Sequence, residues 1–280
     1  MKTMDQKVIR TLVRSRMDVQ AYRKASANRL GKKADGTNQN IVDERYISLE
    51  DMENFTALVD DAKAQEKKIE KMLKKSLKRF PIYNEFLKDV KGVGEIAAGW
   101  IVGEYDIEEA TTVSKMWQYT GLNPGMVKGK KRIDPKKHKG EKICKEIKGR
   151  DGKVEALIVE SDELIRGDKA TPGFVLPYNK PLKTALVGVL ADGFIKAKAP
   201  YALNFYYPYK IRLEQSSNEV MHMGKKVAWK DVSKGHRDRA AKRYMIKMFL
   251  QDLYAVWRAL EGLPVREPYQ EEYLGHKHAS

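Results

Sequence analysis

The sequence predicts a mainly α-helical protein. Long N-terminal helices, forming a coiled coil or a helical hairpin, precede a second helical region with a small β or irregular insertion. Three observations lead there. Apolar residues recur at spacings of three and four across residues 4–30 and 48–80. Two shorter helical patterns are joined by the glycine turn Lys91-Gly92-Val93-Gly94. Gly129, Pro135, Gly140 and Gly149 then interrupt a strongly basic stretch that no long helix fits.

A chain of 280 residues, 42% hydrophobic, has enough apolar side chains for one large core or two small ones. Its 54 Lys and Arg against 38 Asp and Glu leave a net charge of +16 and a pI near 9.6. That balance favours a polyanionic partner and fast, salt-sensitive association. Charge serving solubility alone is the alternative. A membrane surface fits less well, because the cations do not gather on one amphipathic helix. The single cysteine, Cys144, excludes an intrachain disulfide and a thiolate metal cluster. Cys144 with nearby His138 supplies two ligands, too few for zinc, and no cofactor is expected. With no apolar run of bilayer length and no signal-peptide pattern, a cytoplasmic protein is expected.

The first helix, residues 4–30, carries Ile9, Leu12, Val13, Met17 and Tyr22 on its apolar side and Lys7, Arg10, Arg14, Arg16, Arg23, Lys24 and Arg29 elsewhere. Those cations read as a solvated surface. Gly31 can cap the helix, and residues 31–36 read as a loop. Ser48 with Asp51 resembles a capping box opening a helix that runs to Phe80. Its stripe from Met52 through Val59, Ile69 and Leu73 to Phe80 follows coiled-coil spacing over about four heptads. Homodimerisation through this helix and packing on the first helix are both open.

Beyond Pro81, a helix ends near Val90 and another runs over 96–105. Gly92 and Gly94 permit positive φ and close approach. The amides of Gly92, Val93 and Gly94 stand at a helix start, where unpaired N–H groups and the dipole favour a phosphate. Residues 106–119 read as a further helix, stopped by Gly121-Leu122-Asn123-Pro124-Gly125. Between Lys128 and Arg150, eleven cations face three acids, a local net of +8. This reads as a flexible loop or an arm contacting nucleic acid, with Lys128, Lys130, Lys131, Arg132, Lys136 and Lys137 as its candidate contacts. Residues 156–165 read as a short hairpin.

A helix over 181–198 starts on a tolerated proline. Tyr201, Phe205, Tyr206, Tyr207 and Tyr209 form an aromatic patch beside Lys210 and Arg212. These rings either stack bases or pack a helix corner. Arg237, Arg239, Lys242 and Arg243 crowd the start of the last helix, where cations oppose the dipole and a phosphate would reverse the sign.

Val90-Lys91-Gly92-Val93-Gly94-Glu95-Ile96-Ala97-Ala98 resembles a helix-hairpin-helix motif. Followed by Trp117-Gln118-Tyr119-Thr120-Gly121-Leu122-Asn123-Pro124 and Asn179-Lys180-Pro181-Leu182-Lys183, it resembles the C-terminal domain of the insertion-sequence one-ten transposases, bridge-RNA-guided recombinases of bacterial mobile elements. The likeness covers roughly residues 84–262. It implies three regions: a basic helical or coiled-coil segment 1–80, a helix-hairpin-helix domain 81–265 with a basic insertion 126–178, and a C-terminal tail 266–280. It implies DNA and structured RNA as ligands. Residues 1–47 are too short for the family's RuvC-like nuclease domain. The family's serine nucleophile is missing too: Gly125-Met126-Val127-Lys128-Gly129-Lys130-Lys131 stands in its place, and no serine lies between Ser114 and Ser161. A lysine cannot form the phosphoserine link of that chemistry. The expectation is therefore a nucleic-acid-binding protein without its own strand-transfer activity. The alternatives are a recombinase completed by a partner or by Mg²⁺ on Asp151, Glu155, Glu160, Asp162 and Glu163, and a structural coiled-coil adaptor.

Overall fold

In the computed structural model, which describes residues 3–29, 48–222 and 224–266, the long periodic segments are helices. The expected Gly31 cap, the loop 31–36 and the tail beyond residue 266 lie outside the described residues. Tertiary contacts divide the chain into two units, Met1–Asp89 with Val93–Asp106 and Val90–Gly92 with Ile107–Ser280.

The first unit is built from α1 (Met4–Arg29), α2 (Leu49–Leu77), a π-helical turn (Tyr83–Leu87) and α3 (Glu95–Glu104). Ser48 opens α2 as expected: its Oγ accepts the Asp51 N–H at 3.1 Å and donates to the Asp51 carboxylate at 2.7 Å. Of the two alternatives for α2, packing on α1 within the chain is observed, with Ile9 and Val13 buried on α1 and Val59, Ala62, Leu73 and Leu77 on α2. Helix α3 is buried from Ala98 through Glu104. It comes close to its neighbours through Gly99 and Gly103, where a Cβ would stand 2.5 Å from Val13 Cγ2 and 3.0 Å from the Arg10 backbone. The expected solvated cations of α1 are corrected in part. Arg16 and Arg23 meet Glu66 at 3.2 and 2.5 Å, and Arg10 and Arg14 both meet Glu104 at 2.9 Å. Glu66 interrupts the apolar stripe of α2, so the arginines neutralise a charge inside the helix seam.

The second unit holds α4 (Val113–Thr120), β1 (Met126–Ile133), β2 (Ile143–Lys148), β3 (Val154–Arg166), α5 (Lys180–Lys183), α6 (Ala191–Lys196), α7 (Tyr207–Gln215), β4 (Glu219–His222), β5 (Lys225–Ala228) and α8 (Lys234–Leu260). A π-helical stretch, Thr184–Leu190, joins α5 to α6, and another, Ala202–Tyr206, leads into α7. Met245, Ile246, Phe249, Leu250, Leu253 and Trp257 bury one face of α8 with Leu182, Leu186, Leu190 and Phe194 in the core. The basic stretch 128–150 is not a loop but contributes β1 and β2, and residues 156–165 are not a hairpin but one strand. β3 lies between β1 and β2 in an antiparallel sheet. The reason is physical: β3 supplies Leu157, Val159 and Ile165 to a buried face, and lysine-rich strands suit the exposed sheet edges.

Candidate nucleic-acid interface

The glycine turn is divided between the units, with Gly92 in the second and Val93 and Gly94 in the first. Gly92 needs to be glycine: φ is +96°, and a Cβ would lie 2.8 Å from the Phe194 ring and 3.3 Å from the Gly193 carbonyl. Gly94 is the N-cap of α3. The first residue of that helix, Glu95, receives its own N–H and the Lys74 ammonium at 2.8 Å, and the Lys74 hydrogen bond holds its carboxyl below the usual range. The positive end of α3 thus already faces a carboxylate.

On the sheet, the six candidate cations divide into two groups. Lys128 bridges to Glu160 at 2.9 Å and Lys131 to Glu163 at 2.5 Å, the Lys131 ammonium also lying 4.8 Å from the Phe174 ring centre. Lys130, Arg132, Lys136 and Lys137 are exposed and, among the described residues, have no ion pair. The two bridges also occupy Glu160 and Glu163, members of the acidic set considered for Mg²⁺. Among the described residues, no group of three or more His, Cys, Asp and Glu is placed to hold a metal.

The four candidates on α8 have different surroundings. Arg237 is buried, and its Nη1 donates to the carbonyls of Lys230 at 2.8 Å, Trp229 at 3.4 Å and Val232. It closes the turn before the helix instead of facing a ligand, which corrects the expectation. Lys242 lies between Asp192 at 2.8 Å and Asp238 at 3.0 Å. Arg239 is exposed and Arg243 half-buried, and among the described residues neither forms an ion pair.

Sequence reasoning missed the surroundings of Asp168. Arg166 grips this carboxylate through two bonds of 2.9 and 3.1 Å. Lys183, the last residue of α5, donates to the Asp168 carbonyl at 2.8 Å and lies 4.4 Å from the Tyr178 ring centre. On α8, Lys247 stands 4.9 Å from the Trp117 ring centre, and its carbonyl accepts the Trp117 indole N–H at 3.2 Å. Burial disfavours the charged forms of Lys183, Arg243 and Lys247, Arg243 adds repulsion on both lysines, and Asp168 offsets part of it. A signal existed in the sequence. Arg239, Arg243 and Lys247 recur every four residues, so like charges share one helix face.

Two segments distant in sequence meet beside this cluster. The Asn179 N–H donates to the Tyr119 carbonyl at 2.8 Å, and its side chain to the Tyr119 hydroxyl at 3.0 Å. Gly121, with φ +72°, ends α4 where a Cβ would lie 2.6 Å from the Tyr178 ring. The aromatic patch, by contrast, packs except at Tyr207, which is exposed. Tyr201 lies 5.3 Å from Phe194 and 5.4 Å from Phe249, buried Tyr206 donates to Asp238, and Tyr209 stacks on Tyr244 at 4.3 Å. No protein-family model, curated protein or solved structure matches this chain.

Proposed function

We propose that this protein binds nucleic acid, DNA or structured RNA, through the cations of its second unit. The observation that carries the reading is the exposed set Lys130, Arg132, Lys136 and Lys137, none of which forms an ion pair among the described residues, although Lys130 faces Glu160 across the sheet. Such unpaired charge is retained at little cost in water and is neutralised by phosphates with release of counterions. We further infer descent from, or parallel evolution with, the C-terminal domain of the insertion-sequence one-ten transposases. The docking of Asn179 on Tyr119 and of Tyr178 over Gly121 supports this, because it joins two of the three motif segments. Without a serine in β1, the chain lacks its own strand-transfer chemistry.

Titration of labelled duplex DNA and structured RNA at 50 and 200 mM salt tests the binding. With six to ten phosphate contacts, affinity falls by about 10³–10⁵ between those concentrations. Absence of salt-dependent retention of either ligand overturns the reading. Incubation with DNA in Mg²⁺ is expected to give no covalent protein–DNA adduct.

A further inference from the structure

The second unit gathers more positive charge around Asp168 than that carboxylate can balance. Arg166 occupies both of its oxygens, leaving Lys183, Arg243 and Lys247 half-buried. Among the described residues, Arg243 has no hydrogen bond or ion pair and the Lys247 ammonium lies against the face of Trp117, with the already bonded Asp168 attracting both from further off. Half-burying a cation without a partner costs free energy, and placing several together adds repulsion. Long side chains that served only solubility would extend their charged ends into water. Here the helix instead repeats cations at 239, 243 and 247 on one face, against the local preference for mixed charge.

We propose that Lys183, Arg243 and Lys247 form a binding site for one phosphate group, a phosphomonoester or phosphodiester. The guanidinium of Arg243 supplies a two-pronged donor, the two ammonium groups supply point charges, and Trp117 and Tyr178 flank the lysines. Arg239, one turn before Arg243, adds an exposed charge at the approach. The site rests on the nucleic-acid reading only for what carries the phosphate. The phosphate itself follows from the uncompensated cations.

The test uses the full chain with inorganic pyrophosphate, followed by thermal unfolding and ³¹P NMR, in the wild type and in Arg243→Met, Lys247→Met and Arg243→Lys. Millimolar pyrophosphate is expected to raise the wild-type melting temperature by several degrees. Either methionine variant is expected to bind at least tenfold more weakly, and Arg243→Lys to keep part of the shift. Without pyrophosphate, Arg243→Met is expected to melt no lower than the wild type, because it relieves repulsion. A wild-type melting temperature indifferent to pyrophosphate overturns the site. So does an Arg243→Met protein that is destabilised yet binds normally. A parallel arm with a 5′-phosphorylated single-stranded oligonucleotide separates the two readings. Pyrophosphate binding without oligonucleotide retention supports the site and removes nucleic acid as its carrier. Oligonucleotide retention unchanged by the methionine variants, with no pyrophosphate binding, overturns the site and leaves the wider interface standing.

Discussion

Glu104 has no exposed side-chain surface, and both Arg10 and Arg14 reach it at 2.9 Å. Replacing it with glutamine leaves two guanidinium groups facing a neutral amide. Breaking a fully buried pair from one side costs about 3–5 kcal/mol. The arginines here are 39% and 47% exposed, so water recovers part of that. Glu104→Gln is expected to lose about 1–3 kcal/mol in urea unfolding. His236 presents a pH-dependent counterpart. Burial lowers its pKa, and His222, Arg243, Arg239 and Lys169 lower it further. Above about pH 6.5 the imidazole is neutral whether the chain is folded or not. As pH falls through that value the unfolded chain takes up the proton first, so stability declines until the folded His236 also titrates. The urea midpoint is expected to drop between pH 7.5 and 5.5 in the wild type, and to drop less in His236→Gln. Carboxylates with lowered pKa, such as Glu95 and Glu160, titrate below this window.

At the scale of elements, α3 shows how close packing depends on the absence of side chains. A methyl group on Gly103 would meet the Cα and N of Arg10 at 3.0 Å, and backbone cannot swing aside as a side chain can. Alanine gains about 1 kcal/mol over glycine in a helix interior, while overpacking costs about 1–3 kcal/mol. Gly103→Ala is therefore expected to lower the urea midpoint, whereas propensity alone would raise it. Much at this scale was legible in the sequence. The periodic stripes marked α1, α2 and α8, Ser48 with Asp51 marked a helix start, and Gly121 marked the end of α4. The sheet was less legible, because β1 and β2 lie at its edges and their charged residues hide the alternation that β3 completes from a distance. The Asp168 cluster was legible only in part. The four-residue repeat Arg239, Arg243, Lys247 marks a basic face of α8, but nothing in the sequence joins that face to Arg166, Asp168 and Lys183, which come from β3, the segment after it and α5.

At the scale of the whole molecule, a charge of +16 is an undirected attraction, and the cations that meet phosphate directly give it a place. In the first unit, Arg16 and Arg23 pair with Glu66, Lys63 with Asp60, Lys74 with Glu95 and Arg79, just beyond α2, with Asp5, while Lys67, Lys68, Lys71, Lys75 and Lys78 are exposed without an ion pair among the described residues. In the second, Lys130, Arg132, Lys136 and Lys137 of the sheet and its neighbouring turn are exposed without an ion pair among the described residues. Binding governed by net charge alone would respond equally to the loss of any exposed cation. Binding through the second unit would not. The slope of log affinity against log salt is expected to become shallower by about 0.9 for each phosphate contact removed on duplex DNA. Lys136→Gln and Arg132→Gln should each show that change, and the double variant about twice as much, because the sites are separate. Lys63→Gln, which removes the same unit charge from a pair in the first unit, should leave the slope unchanged. Equal slopes for all three single variants would assign the attraction to net charge and remove the second unit as the interface.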